Sequence, residues 1–187
     1  MTRLQRTGPN GWCRRRILLG VVSLGLSACD QPSVGLGAGM HASATLVQGG
    51  AFPALVLDYI SGGSDAMGPW HGKLLVLNIW ATWCPPCRRE MPGLDRLSKT
   101  LDAKRFAVVG LSVDTDTLLA AEFLVQHGIT FTNFFDQSGK MTQSLGLKAY
   151  PETFVIAPDR RILRRISGQR EWDSPEMISM LEQIQKL

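Results

Sequence analysis

Leu74-Leu75-Val76-Leu77-Asn78-Ile79-Trp80-Ala81-Thr82-Trp83-Cys84-Pro85-Pro86-Cys87-Arg88-Arg89-Glu90-Met91-Pro92 is the stretch from which the architecture can be read. Residues 74–80 are dense in aliphatic side chains, the composition of a strand buried on both faces. After the cysteines, apolar residues recur at Met91, Leu94, Leu97 and Leu101, a spacing that lines one face of a helix. Pro85 and Pro86 fall in its first turn, where a missing N–H costs least. Pro92 lies inside the helical pattern and is expected to bend it. The two cysteines therefore sit where a buried strand hands over to a helix.

Working outward, Phe106 to Val113 reads as a second buried strand, and Leu118 to His127, closed by Gly128, as a second helix. Thr130 to Phe135 suits a short strand and Lys140 to Leu145 a short helix. Glu152 to Ile156 and Ile162 to Ile166 read as two strands joined by a turn at Asp159 and Arg160. Ser174 can cap a final helix that opens with Pro175 and carries Met177, Met180, Leu181 and Ile184 on one face. Strands alternating with helices predict an α/β domain with a largely parallel sheet, helices on both faces and antiparallel strands at the end.

The chain has 187 residues, 20 Lys+Arg and 16 Asp+Glu. The apparent basicity is local. Residues 1–28 hold Arg3, Arg6, Arg14, Arg15 and Arg16 and no acid, which leaves 15 basic and 16 acidic residues from 29 onward, a net of −1. Charge therefore gives no support to a nucleic-acid partner. Hydrophobic residues at 44% suffice for a core, and no apolar run is long enough to span a bilayer.

Arg14-Arg15-Arg16 precede an uncharged stretch, Ile17 to Leu26, of signal-peptide length. It ends in Leu26-Ser27-Ala28-Cys29, which resembles a bacterial lipobox. The expected division is a signal peptide over 1–28, a lipid-anchored tether over 29–50, rich in Gly, Ala and Ser, and one domain over 51–187. Cys29 would carry the lipid as the first residue of the mature chain. An ordinary cleaved signal with an incidental cysteine is the alternative.

The chain has 4 cysteines. Cys13 lies in the expected signal and Cys29 at the anchor, leaving Cys84 and Cys87 for chemistry. At a helix N-terminus, unpaired N–H groups and the helix dipole stabilise a thiolate on the first cysteine. A pKa drop from about 8.5 to about 7 raises the thiolate fraction at neutral pH from roughly 3% to half. The second cysteine, one turn on and facing inward, is close enough to form a disulfide with the first and can resolve a mixed disulfide. Two other readings compete. A structural zinc site needs further ligands, yet no second cysteine pair follows and the His residues are 41, 71 and 127. A static bridge closing so short a loop constrains the unfolded chain little. The motif sets no direction of electron flow.

Trp80 to Pro92 resembles the active-site stretch of the extracytoplasmic thioredoxin-like proteins TlpA, ResA and CcmG (DsbE). Ala149-Tyr150-Pro151-Glu152-Thr153-Phe154 and the segment Gly168 to Glu176 extend the resemblance, which covers roughly residues 50–187 and leans toward TlpA. It implies a thioredoxin-like α/β fold with a central mixed sheet flanked by helices. It further implies that Pro151 is a cis-proline opposite the disulfide, with Tyr150 offering its backbone to substrate. Trp83, Pro85 and Pro86 would border the substrate, Trp83 serving both core and rim. Glu90 matches an acidic residue near the dithiol that tunes its proton chemistry, and it is the candidate base because Asn78 stands where thioredoxin has a buried Asp. Asn78 and Trp80 read as structural.

The resemblance implies a membrane-anchored disulfide reductase with no cofactor beyond the Cys84–Cys87 disulfide and no metal. Its clients would be proteins such as apocytochrome c or copper-site proteins, and its electrons would come from a membrane dithiol donor of the DsbD/CcdA type. The alternatives are a general oxidant or isomerase and a dithiol copper-binding module.

Overall fold

The computed structural model describes residues 48–54, 56–65, 70, 72–147 and 149–186. The expected signal peptide, Cys29 and nearly all of the tether lie outside the described residues.

The strand expected at the centre runs over Leu74–Trp80 (β3, after a short hairpin of β1, Leu57–Tyr59, and β2, Ser64–Asp65) and is buried at every position. Alternation sends its side chains to two cores. Leu74, Val76 and Trp80 join one cluster with Met91, Leu94 and Leu97 of α1 (Pro85–Thr100), Ala120 and Phe123 of α2 (Thr117–Gln126) and Leu181 and Ile184 of α4 (Pro175–Gln185). Leu75, Leu77 and Ile79 join the other with Phe52, Leu57, Phe154 and Met141 of α3 (Lys140–Ser144). Each fully buried aliphatic chain contributes about 1.5–3 kcal/mol. Helices therefore cover both faces, three on one and the short α3 on the other.

The sheet order is β2-β1-β5-β4-β3-β6-β7, with β4 at Phe106–Ser112, β5 at Thr132–Phe135, β6 at Glu152–Ile156 and β7 at Ile162–Ser167. Only the β3–β4 and β4–β5 pairs are parallel, so the sheet is mixed and not largely parallel. The hairpin β1–β2, absent from the sequence reading, closes the edge beyond β5. Its three- and two-residue strands are too short for an alternating pattern, and packing holds them. Leu57 is buried and the Tyr59 ring lies 4.5 Å from that of Phe134.

The ends of the helices follow the caps. The Asp116 side chain accepts from Leu118 N at 2.9 Å, starting α2 one residue earlier than expected, and Ser174 Oγ accepts from Met177 N at 3.3 Å. α1 continues through Pro92 to Thr100. Arg160, at the β6–β7 turn, adopts a left-handed conformation (φ 68°). Gly49, just inside the stretch read as tether, already pairs with the sheet: its N–H donates to Ile162 O at 2.8 Å.

One glycine in β4 is there for space. Trp80 Nε1 donates to Asn133 Oδ1 at 2.9 Å directly across Gly110, and a Cβ on Gly110 would lie 1.9 Å from that oxygen. Gly110→Ala should therefore cost about 3 kcal/mol, read as a lowered urea midpoint; an unchanged midpoint would show that the Trp80–Asn133 pair can move aside.

Candidate active site

The loop between β3 and α1 carries the cysteines, and its shape is fixed from β4. Asp114, buried just past the end of that strand, accepts Thr82 N at 3.1 Å, Thr82 Oγ1 at 2.6 Å and Ser112 Oγ at 2.7 Å. The sequence reading passed over Asp114. Its signal was a carboxyl at the C-terminal end of an apolar parallel strand, where sites in α/β folds gather.

Cys84 is the N-cap of α1, with Pro85 and Pro86 opening the helix. Its Sγ accepts the Cys87 N–H at 3.3 Å, so the helix N-terminus already directs a donor at this sulfur. Cys84 and Cys87 are joined in a disulfide, with Cα atoms 5.3 Å apart. Cys87 is fully buried and Cys84 slightly exposed, so of the two sulfurs Cys84 is the one a substrate can reach.

The β3–β6 register places Ile79 opposite Glu152, which brings the residues just before β6 beside the active-site loop. The Tyr150–Pro151 bond there is cis. The Trp83 and Tyr150 rings meet edge to face, 5.6 Å between centroids. Trp83 is 60% exposed, so it is a rim residue alone and takes no part in the core. Burial pushes the Tyr150 phenol above its ordinary pKa and keeps it neutral. Pro85 is exposed and Pro86 half-buried. Cys84, Cys87, Trp83, Pro85, Pro86, Tyr150 and Pro151 thus share one end of the sheet.

Glu90 does not lie on a solvated helix face. It is 2% exposed, one turn beyond Cys87 on α1. Its Oε1 accepts from Asn78 Nδ2 at 2.7 Å, and its Oε2 from Trp172 Nε1 and from Arg170 N, both at 3.0 Å. Asn78 Nδ2 also donates to Thr153 Oγ1 at 2.9 Å, while Asn78 Oδ1 has no protein partner among the described residues. Asn78, read as structural, is therefore the strand's contact with the acid. The amide can serve either protonation state, since a half-turn would offer Oδ1 to a protonated Glu90. The other buried acid nearby, Glu152, is neutralised by Arg165, whose Nε lies 2.6 Å from Oε1, and its carboxyl is held below the usual range by hydrogen bonds from Arg165 and Ser167.

A cysteine pair at a helix N-terminus, set under a cis-proline on a mixed sheet, defines a thioredoxin-like thiol–disulfide oxidoreductase. Residues 48–183 match the Redoxin family model, and the chain belongs to that family. It is a TlpA/ResA/CcmG-like member. A thiol-disulfide oxidoreductase ResA of Bacillus cereus is 27% identical over 158 residues, 84% of this chain and 91% of the relative. ResA of Bacillus thuringiensis is 27% identical over 118 residues, 63% of this chain and 68% of the relative. A crystal structure described as a thiol:disulfide interchange protein DsbE, from Chlorobium tepidum, superposes with a TM-score of 0.65 at 31% identity, over 74% of this chain and 95% of that one.

Burial is the largest influence on Glu90 and raises its carboxyl above the ordinary 4.5, against the opposing hydrogen bonds of Trp172, Arg170 and Asn78 and the charge of Arg170. A carboxyl with a raised folded pKa contributes stability fully below its unfolded value and loses that contribution as pH rises through the folded one. The unfolding free energy of the oxidised wild type, minus that of Glu90→Gln, should therefore decline as pH climbs out of the ordinary carboxylate range. Urea unfolding across a pH series measures it; a flat or rising difference would contradict a raised Glu90.

Proposed function

We propose that the protein reduces disulfides of specific extracytoplasmic proteins while anchored to a bacterial membrane by lipid on Cys29. The observation that carries the reading is the pairing of a reachable Cys84 with a fully buried Cys87, backed by a buried acid one turn further along α1. Cys84 thiolate attacks a client disulfide. A Cys84–client disulfide forms, the client bond breaks, and one client sulfur leaves as a thiolate that takes up a proton. Cys87 then gives its proton toward Glu90 and attacks Cys84, and the second client thiol leaves. The client gains two electrons and two protons, and the protein is left with its Cys84–Cys87 disulfide. A membrane dithiol donor of the DsbD/CcdA type resets it.

The reductive direction is supported by the ResA and DsbE likeness and by the need for a reductant where the surroundings oxidise thiols. Respiratory proteins are the clients this reading favours, apocytochrome c or copper-site proteins in cytochrome c or oxidase maturation. Among the described residues no helix is long and apolar enough to cross a membrane; the proposed anchoring rests on the lipobox-like Leu26-Ser27-Ala28-Cys29. A general oxidant or isomerase is the competing enzyme, and a copper-holding dithiol the competing binding module.

Capture names the client and the direction together. Cys87→Ser should accumulate mixed disulfides through Cys84, and Cys84→Ser should abolish turnover and capture nothing. In cells lacking the protein, the captured clients should accumulate oxidised; clients found reduced would reverse the direction. Separately, Cys29→Ser should move the protein from the membrane fraction to the soluble one, and a variant that stays membrane-bound would remove the lipid anchor from the account.

A further inference from the structure

The surface around Cys84 is asymmetric. On one side stand the exposed Trp83 and the Tyr150 ring. A separate open groove is lined by Pro85, Arg88, Arg89 and His127, and none of its lining residues is an acid. Pro85 follows Cys84 directly, so the groove adjoins the active-site turn.

Both arginines are held in place by neutral groups. The Arg88 guanidinium lies over the Phe123 ring, 5.8 Å from its centroid. That ring is stacked on its other neighbour, His127, at 4.0 Å. Arg89 Nε donates to Gln169 Oε1 at 2.9 Å. Further along the same helix the cations are compensated. Arg96 pairs with Asp173 and Lys99 with Asp95. Among the described residues Arg88 and Arg89 have no ion pair of this kind, and the first turn of α1 holds no acid. Two guanidinium groups thus line a groove that adjoins the active-site turn, in a protein whose residues from 29 onward carry a net of −1.

We infer that the Pro85–Arg88–Arg89–His127 groove is a docking site for acidic side chains flanking the client's cysteine. The inference rests on thiol–disulfide exchange at Cys84 as argued above and specifies the chemistry of the client. A planar guanidinium presents paired donors to a carboxylate. Two of them at the rim of the site raise the encounter rate with an anionic segment, and the effect is screened by salt. The Trp83 and Tyr150 rings take up the apolar remainder of the segment.

The test uses peptides of equal length with a single cysteine capped by neutral 2-thiopyridine, flanked either by Asp and Glu or by Lys. The reduced Cys87→Ser protein forms a disulfide between Cys84 and the peptide sulfur, the cap's S–S bond breaks, and pyridine-2-thione leaves and is followed by absorbance. At about 10 mM salt the acidic peptide should react about tenfold faster than the basic one. That ratio should fall toward one at about 1 M salt. It should also fall toward one in Arg88→Gln/Arg89→Gln at low salt. Because it is a ratio within each protein, changes in the intrinsic reactivity of Cys84 cancel. A wild-type ratio of one, or a ratio that the double substitution leaves unchanged, would overturn the inference. Release of thione with neither peptide would instead overturn the reading of Cys84 as the exchanging thiol.

Discussion

A carboxyl group buried behind a disulfide is the constraint on which this site depends. Glu90 sits where an unpaired charge would be costly, and its surroundings are built to meet it. Two elements send three donors to it: β3 through Asn78, and the C-terminal loop through the Arg170 amide and the Trp172 indole. Oε2 has two donors and Oε1 has Asn78, so removing the Asn78 amide would leave Oε1 buried and unpaired, at about 1–3 kcal/mol. The acid therefore helps lock helix, strand and loop together while standing one turn from the buried thiol. Glu152 provides the contrast. It is similarly buried, but an arginine holds it ionised, which leaves it no proton to exchange.

The second constraint acts from the far side of the loop. Asp114 grips Thr82 at both backbone and side chain and is itself braced by Ser112. The parallel β3–β4 register aligns Trp80 with Ser112, so the strand ends that make the sheet also set the height of the cysteine loop. Cys84 is presented by this hydrogen-bonded frame, and the rim around it, Trp83, Pro85 and the arginines, is left to solvent.

Much of this was legible before the structure. Leu74–Trp80 announced itself because a strand buried on both faces has no polar alternation to blur it. Pro175 after Ser174 marked a helix start through local chemistry alone. The β1–β2 hairpin was not legible, since it is held by Phe134 and its cluster and not by a pattern of its own. The burial of Glu90 was hidden for the same reason. Its position on α1 says nothing of Trp172, whose indole arrives from 82 residues away. Asn78 looked inert because an amide cannot hold a proton; its use is to hydrogen-bond with a group that can.

That separation has a consequence for how the protein comes into being. A chain is made from its N-terminus, so Cys84 and Cys87 leave the ribosome well before Arg170 and Trp172 exist. Until those last residues arrive, the dithiol is present without the loop that confines its neighbouring acid, and α4 cannot yet cover Met91, Leu94 and Leu97. The thiols are thus the earlier part of the site, and two of the donors that satisfy the buried Glu90 are the later one. A chain cut short before residue 170 would carry the motif in full without the loop that hydrogen-bonds the acid beside it.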